Sequence, residues 1–95
     1  MRTVKDYHRF YGWIFITTKE GHAEEEEVIS IRQRNITSYI YRSYMQYSSK
    51  YPHYPVGTIN EFHIKQSGDG YLLRFEHKDE LDEFAETLRE WICRP

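Results

Sequence analysis

The sequence predicts an α+β domain in which an antiparallel sheet of about five strands packs on one C-terminal amphipathic helix. Three observations carry this. Phe10 to Thr18 alternates in the manner of a strand, Ser67-Gly68-Asp69-Gly70 separates two further alternating runs, and Leu81, Phe84, Ala85, Leu88, Trp91 and Ile92 recur at helical spacing on a polar background.

In the first element Trp13, Phe15 and Thr17 fall on one side of an extended chain and Ile14 and Ile16 on the other. Lys19-Glu20-Gly21-His22 then supplies a polar turn, and a return strand runs from Ala23 to Ile31. The return arm begins with Glu24-Glu25-Glu26-Glu27. Their mutual repulsion marks a solvated end, or an edge that resists pairing with other chains. After the polar break Arg32–Asn35, Ile36 to Tyr47 fits two periods: Ile36, Ser38, Ile40, Arg42 and Tyr44 share one face of a strand, while Ile36, Ile40, Tyr44 and Tyr47 share one face of a helix. The density of Ile, Thr and Tyr favours the strand. Ser48 to Gly57, with Pro52 and Pro55, reads as a loop.

Thr58–Gln66 and Tyr71–Glu76 form the second hairpin around the glycine-containing turn. The closing helix starts at His77, with Glu80 reaching back to the free amides, or at Asp79 with Asp82. Carboxylates crowd its first turn, and Arg89 and Arg94 lie near its negative end; Pro95 closes the chain. Its apolar face must lie on the sheet. A sheet rolled around a C-terminal helix, as in pleckstrin-homology-like modules, is one such arrangement, and the comparison is architectural because no motif here is diagnostic of that family.

A chain of 95 residues has the size of a single globular domain spanning 1–95, and 39% hydrophobic with 17% aromatic residues is enough to order it. A net charge of -2 offers no global attraction to nucleic acid or an anionic membrane. The longest strongly apolar run, Trp13-Ile14-Phe15-Ile16, is far too short to span a bilayer. Cys93 is the only cysteine, which excludes an internal disulfide and suits a reducing compartment, so a cytoplasmic location is expected.

No phosphate loop, dinucleotide-binding fingerprint, zinc-protease helix, nucleophile elbow or calcium loop is present, so neither catalysis nor a cofactor is expected. Cys93, on the last turn of a helix, is not activated as a nucleophile. His8, His22, His53, His63 and His77 are scattered; His63 and His77 flank the second hairpin, but their spacing marks no metal ligand pair.

The unusual feature is charge segregation. Val28 to Asn60 contains Arg32, Arg34, Arg42 and Lys50 and no carboxylate, and it holds Tyr39, Tyr41, Tyr44, Tyr47, Tyr51 and Tyr54, six of the nine tyrosines. Tyrosine with arginine suits a protein interface, and the same rings can stack on unpaired bases while cations neutralise phosphate. Net acidity and the lack of a nucleic-acid motif favour the first reading. The expectation is a small non-catalytic protein-binding module, a regulator, adaptor or inhibitor, using Tyr41, Arg42, Tyr47 and Tyr51. The alternative is single-stranded nucleic-acid binding through the same segment. Pairing of the acidic helix with the basic segment of another copy would give a homo-oligomer.

Overall fold

The computed structural model describes residues 2–93; Arg94 and Pro95, the basic residue and the proline expected at the helix end, lie outside the described residues. The strands are β1 (Arg2–Phe10), β2 (Trp13–Glu20), β3 (Glu26–Arg32), β4 (Ile36–Tyr47), β5 (Pro55–Gln66) and β6 (Asp69–Phe75), with one turn of 3-10 helix (Gln33–Asn35) between β3 and β4 and helix α1 (Lys78–Cys93) at the end. The sheet therefore has six strands, one more than about five, and is mixed rather than antiparallel: in the order β3-β2-β1-β6-β5-β4, β1 and β6 run parallel.

The additional strand is β1, and a bulge hides it from a period-two reading. Its pairing with β2 shifts at Lys5, between Val4↔Thr18 and Asp6↔Thr17. The two residues that touch the core, Val4 and Tyr7, are consequently three apart instead of two. The turn into β2 is only Tyr11-Gly12, since Phe10 pairs with Trp13. The expected strand from Phe10 thus straddles a turn. Tyr11 takes the positive φ of 54° that a glycine usually supplies.

The expected strand at Ile36–Tyr47 is present along its full length, paired with β5 from Ile36↔Gln66 to Tyr47↔Pro55. Three other boundaries move. Strand β5 begins at Pro55 rather than Thr58, so the expected loop Ser48–Gly57 is three residues shorter, because Gly57 and Pro55 pair with Gln46 and Tyr47. The return strand begins at Glu26 rather than Ala23, because the turn is closed by the Ala23 amide donating to the Glu20 carbonyl at 2.9 Å. The second hairpin turns through Ser67-Gly68 alone, with Gln66 opposite Asp69 and Gly68 at φ 80°. Gly70 belongs to β6, where a Cβ would stand 3.2 Å from the Ile64 carbonyl oxygen. Helix α1 begins just after His77, whose carbonyl accepts from the Leu81 amide at 3.2 Å, which leaves Asp79 inside the first turn.

Strands β3 and β4 are the two outer strands of the sheet, yet three residues join them. Such a connection is feasible only if the sheet rolls back on itself. The Gln33 amide donates to the Gly12 carbonyl at 2.9 Å, the Ser67 amide to the Asn35 carbonyl at 3.3 Å, and Gln33 Nε2 to the Trp91 carbonyl at 2.6 Å, fixing the corner. Helix α1 fills the concavity. Its buried face, Leu81, Phe84, Ala85, Leu88 and Trp91, meets Val4, Ile14, Ile16, Ile29, Ile31, Phe62, Ile64, Leu73 and Phe75 from the strands. Alternation then sends Trp13, Phe15, Arg42 and Glu61 to the outer side.

Candidate functional site

Two-period geometry divides the tyrosine-rich segment between the faces of β4. Tyr39 and Tyr41 turn inward, their rings parallel to Phe62 at 5.5 and 5.7 Å, although Tyr41 stays 48% exposed. Arg42 and Tyr44 turn outward and converge on Glu61 of β5. Arg42 Nε donates to Glu61 Oε2 at 3.1 Å, the Tyr44 hydroxyl donates to Oε1 at 2.8 Å, His63 Nε2 stands 3.5 Å from Oε2, and Arg74 Nη2 4.0 Å from Oε1. The Arg42 guanidinium also lies over the Tyr44 ring at 4.9 Å.

Glu61 is only 4% exposed, but its shelter consists of these side chains and not of depth, since it faces outward. Burial pushes its carboxyl pKa up; the hydrogen bonds from Tyr44, Arg42 and His63 more than offset this and hold it below the usual carboxylate value. The same contact raises the Tyr44 phenol. Arg42 is therefore committed to a structural carboxylate, a pairing that charge counting along the segment cannot reveal.

Tyr47 and Tyr51 lie further out. The last residue of β6, Phe75, pairs with Asn60, so beyond Ser43↔Asn60 the β4–β5 pair continues as a two-stranded arm with no third strand. Tyr44, Met45, Tyr47, Tyr51, Tyr54 and Val56 are exposed on this arm. Its tip is ordered by the Ser48 amide donating to the Tyr54 carbonyl at 3.0 Å and by Ser48 Oγ accepting from the Lys50 and Tyr51 amides at 3.2 Å. The structure thus places Tyr41 and Arg42 within the sheet and Tyr47 and Tyr51 on the arm, without gathering the four at one point.

Among the described residues the outer edge of β4 has no neighbouring strand. Beside it, between β4 and α1, runs a groove in two stretches that share Tyr39: about 240 Å³ lined by Tyr39, Tyr41, Asp82, Ala85, Glu86 and Arg89, and about 280 Å³ reaching Ile36 and Ile92. Sequence periodicity assigns Tyr39 and Tyr41 to one face but cannot show that α1 lies opposite them.

A second feature escaped the sequence reading. On the outer side of β1–β3 the Arg32 guanidinium lies 4.8 Å from the Trp13 ring, Trp13 is parallel to Phe15 at 6.3 Å, and His8 stacks on Phe15 at 5.2 Å. Trp13 and Phe15 were legible as one side of a strand; the row needs the cross-strand partners His8 and Arg32 to be seen.

Among the described residues no three histidines, cysteines or carboxylates converge as metal ligands, and no helix is long and apolar enough to cross a membrane. Cys93 is exposed. Compared with family models, curated proteins and solved structures, the chain matches none of the three.

Proposed function

We propose that this chain is a non-catalytic protein-binding module, a regulator, adaptor or inhibitor, that accepts an extended segment of its partner as an added strand on β4. The open edge of β4 carries this reading. Natural sheets blunt their edges with charge, proline or cover. The run Glu24–Glu27, which leads into β3, does so there, yet β4 presents an edge of twelve residues that contain no proline and only one charged side chain, Arg42. An unpaired edge with a groove beside it suits strand addition: main-chain hydrogen bonds supply affinity, and alternate side chains of the guest enter the groove over Tyr39 and Tyr41. The tyrosines of the arm extend the contact. A cytoplasmic setting agrees with the exposed free thiol of Cys93.

Nucleic-acid binding through the same segment is less well supported, because Glu61 neutralises Arg42 at its centre. The test is capture of a partner from the native host with amide exchange measured on the complex. Amides of Ile36–Tyr47 should become protected, and replacing Tyr41, Tyr47 and Tyr51 with alanine should weaken binding by about tenfold for each central ring, with stability little changed at Tyr47 and Tyr51 and lowered at Tyr41, whose ring stacks on Phe62. Undiminished capture by the triple variant would refute the reading. Protection of β4 in the free protein that depends on concentration would instead identify a second copy as the guest.

A further inference from the structure

The joint between the β1–β2 turn and the 3-10 turn has a chemistry of its own. Around the hydrogen bond from the Gln33 amide to the Gly12 carbonyl lies a cleft of about 400 Å³, lined by Tyr11, Gly12, Trp13, Arg32, Gln33 and Arg34. Its volume falls within the range of small-ligand sites, about 300–1,000 Å³. The lining holds two rings, two guanidinium groups and no carboxylate.

Each cation is poised for an anion. Arg32 rests one face on Trp13, at the end of the row that continues through Phe15 to His8, and among the described residues its N–H edge has no acceptor. Arg34 is exposed, and among the described residues it forms no ion pair with a carboxylate. Gln33 between them is anchored to the Trp91 carbonyl, so the two guanidinium groups spring from a fixed backbone.

Tyr11 supplies an independent observation. It occupies the left-handed region at φ 54°, a strained place for a large side chain, while the glycine of the turn stands one position later. Its ring is 87% exposed and touches Phe10 edge-on, with centroids 4.6 Å apart. Burial therefore does not account for a tyrosine there, and strain of this kind concentrates at functional sites.

We infer that this cleft binds a nucleotide unit, with the planar base against the exposed Tyr11 ring and the phosphate held between Arg32 and Arg34. The base contributes stacking on an aromatic face, and the phosphate contributes charge-assisted hydrogen bonds. A free nucleotide and a residue of a single strand present the same two groups. The site is separate from the β4 edge and does not depend on strand addition there.

The experiment follows the Trp13 indole N–H signal by NMR while the protein is titrated at low salt with adenosine monophosphate, a short oligothymidylate, inorganic phosphate and a polyglutamate peptide. Both nucleotide probes should shift the signal saturably. Much tighter binding of the oligonucleotide would identify a strand as the ligand, and equal binding a free nucleotide. Arg34→Ala should weaken binding about tenfold, and Tyr11→Gly should do the same while raising the melting temperature, because glycine relieves the backbone strain. Loss of affinity coupled to gain of stability is what a purely structural turn residue would not show. The inference fails if neither nucleotide probe shifts the signal, if phosphate or polyglutamate binds as well as they do, or if Tyr11→Gly binds like the parent protein.

Discussion

Replacing Phe84 with alanine should cost about 3–5 kcal/mol, a large part of the roughly 5–15 kcal/mol that holds a domain of this size together. Phe84 is wholly buried and lies where three strands meet α1: Tyr7 of β1 and Phe62 of β5 meet its ring edge-on at 4.8 Å, and Phe75 of β6 lies at 5.2 Å. These neighbours come from both halves of the rolled sheet and are fixed by ladder hydrogen bonds, so they cannot collapse into the hole. Chemical denaturation monitored by circular dichroism reads the loss. Phe84→Leu, which refills part of the volume, should recover roughly half of it. A midpoint unchanged in Phe84→Ala would mean that α1 does not seat there.

Glu61→Gln should destabilise the fold by about 1.5–3 kcal/mol near neutral pH, because Arg42 loses its counter-ion and charge-assisted hydrogen bonds become neutral ones. Arg74, whose Nε is buried without a partner, is left more exposed to the same penalty. The pH dependence gives the sign. The Glu61 carboxyl is held below its ordinary value in the fold, so its contribution is fully present above the unfolded glutamate pKa of about 4.3 and disappears as pH falls through the lower folded value. Parent and variant should therefore converge in acid. Glu76, lowered by its hydrogen bond to Lys5, titrates in the same direction in both proteins, and that exposed pair cancels in the comparison. A difference between parent and Glu61→Gln that stays constant down to pH 2 would show that packing, not charge, makes the residue matter.

Elements whose pattern is local were legible from the chain alone. The α1 face follows from helical spacing, the strand at Ile36–Tyr47 from its density of Ile, Thr and Tyr, and the second hairpin from its glycine turn, although a register shift between Ile36 and Ser38 puts Ile36 on the core side with Tyr39 instead of with Ile40. What escaped is non-local or breaks the period. The bulge at Lys5 moves Tyr7 out of phase with Val4, and a tyrosine in the left-handed region disguises the turn at Tyr11-Gly12. The parallel pairing of Arg2 with Leu73 joins residues at opposite ends of the sequence, beyond any local signal.

The candidate site divides along the same line. Clustering of rings between Tyr39 and Tyr54 was plain, as was the absence of acids. Which side chains stay available was not, because that depends on residues such as Glu61, 19 positions from Arg42. Trp13 and Phe15 looked like either face of a strand until Ile14 and Ile16 proved to be the core pair.

The rolled sheet also fixes an order of events during synthesis. The meander β1–β3 is made before the other elements, yet Ile14, Ile16, Ile29 and Ile31 share their core with a helix that follows all six strands. Until residues 78–93 have emerged from the ribosome, the nascent chain carries an apolar sheet with nothing on it, the sort of surface that draws chaperones or other unfinished chains.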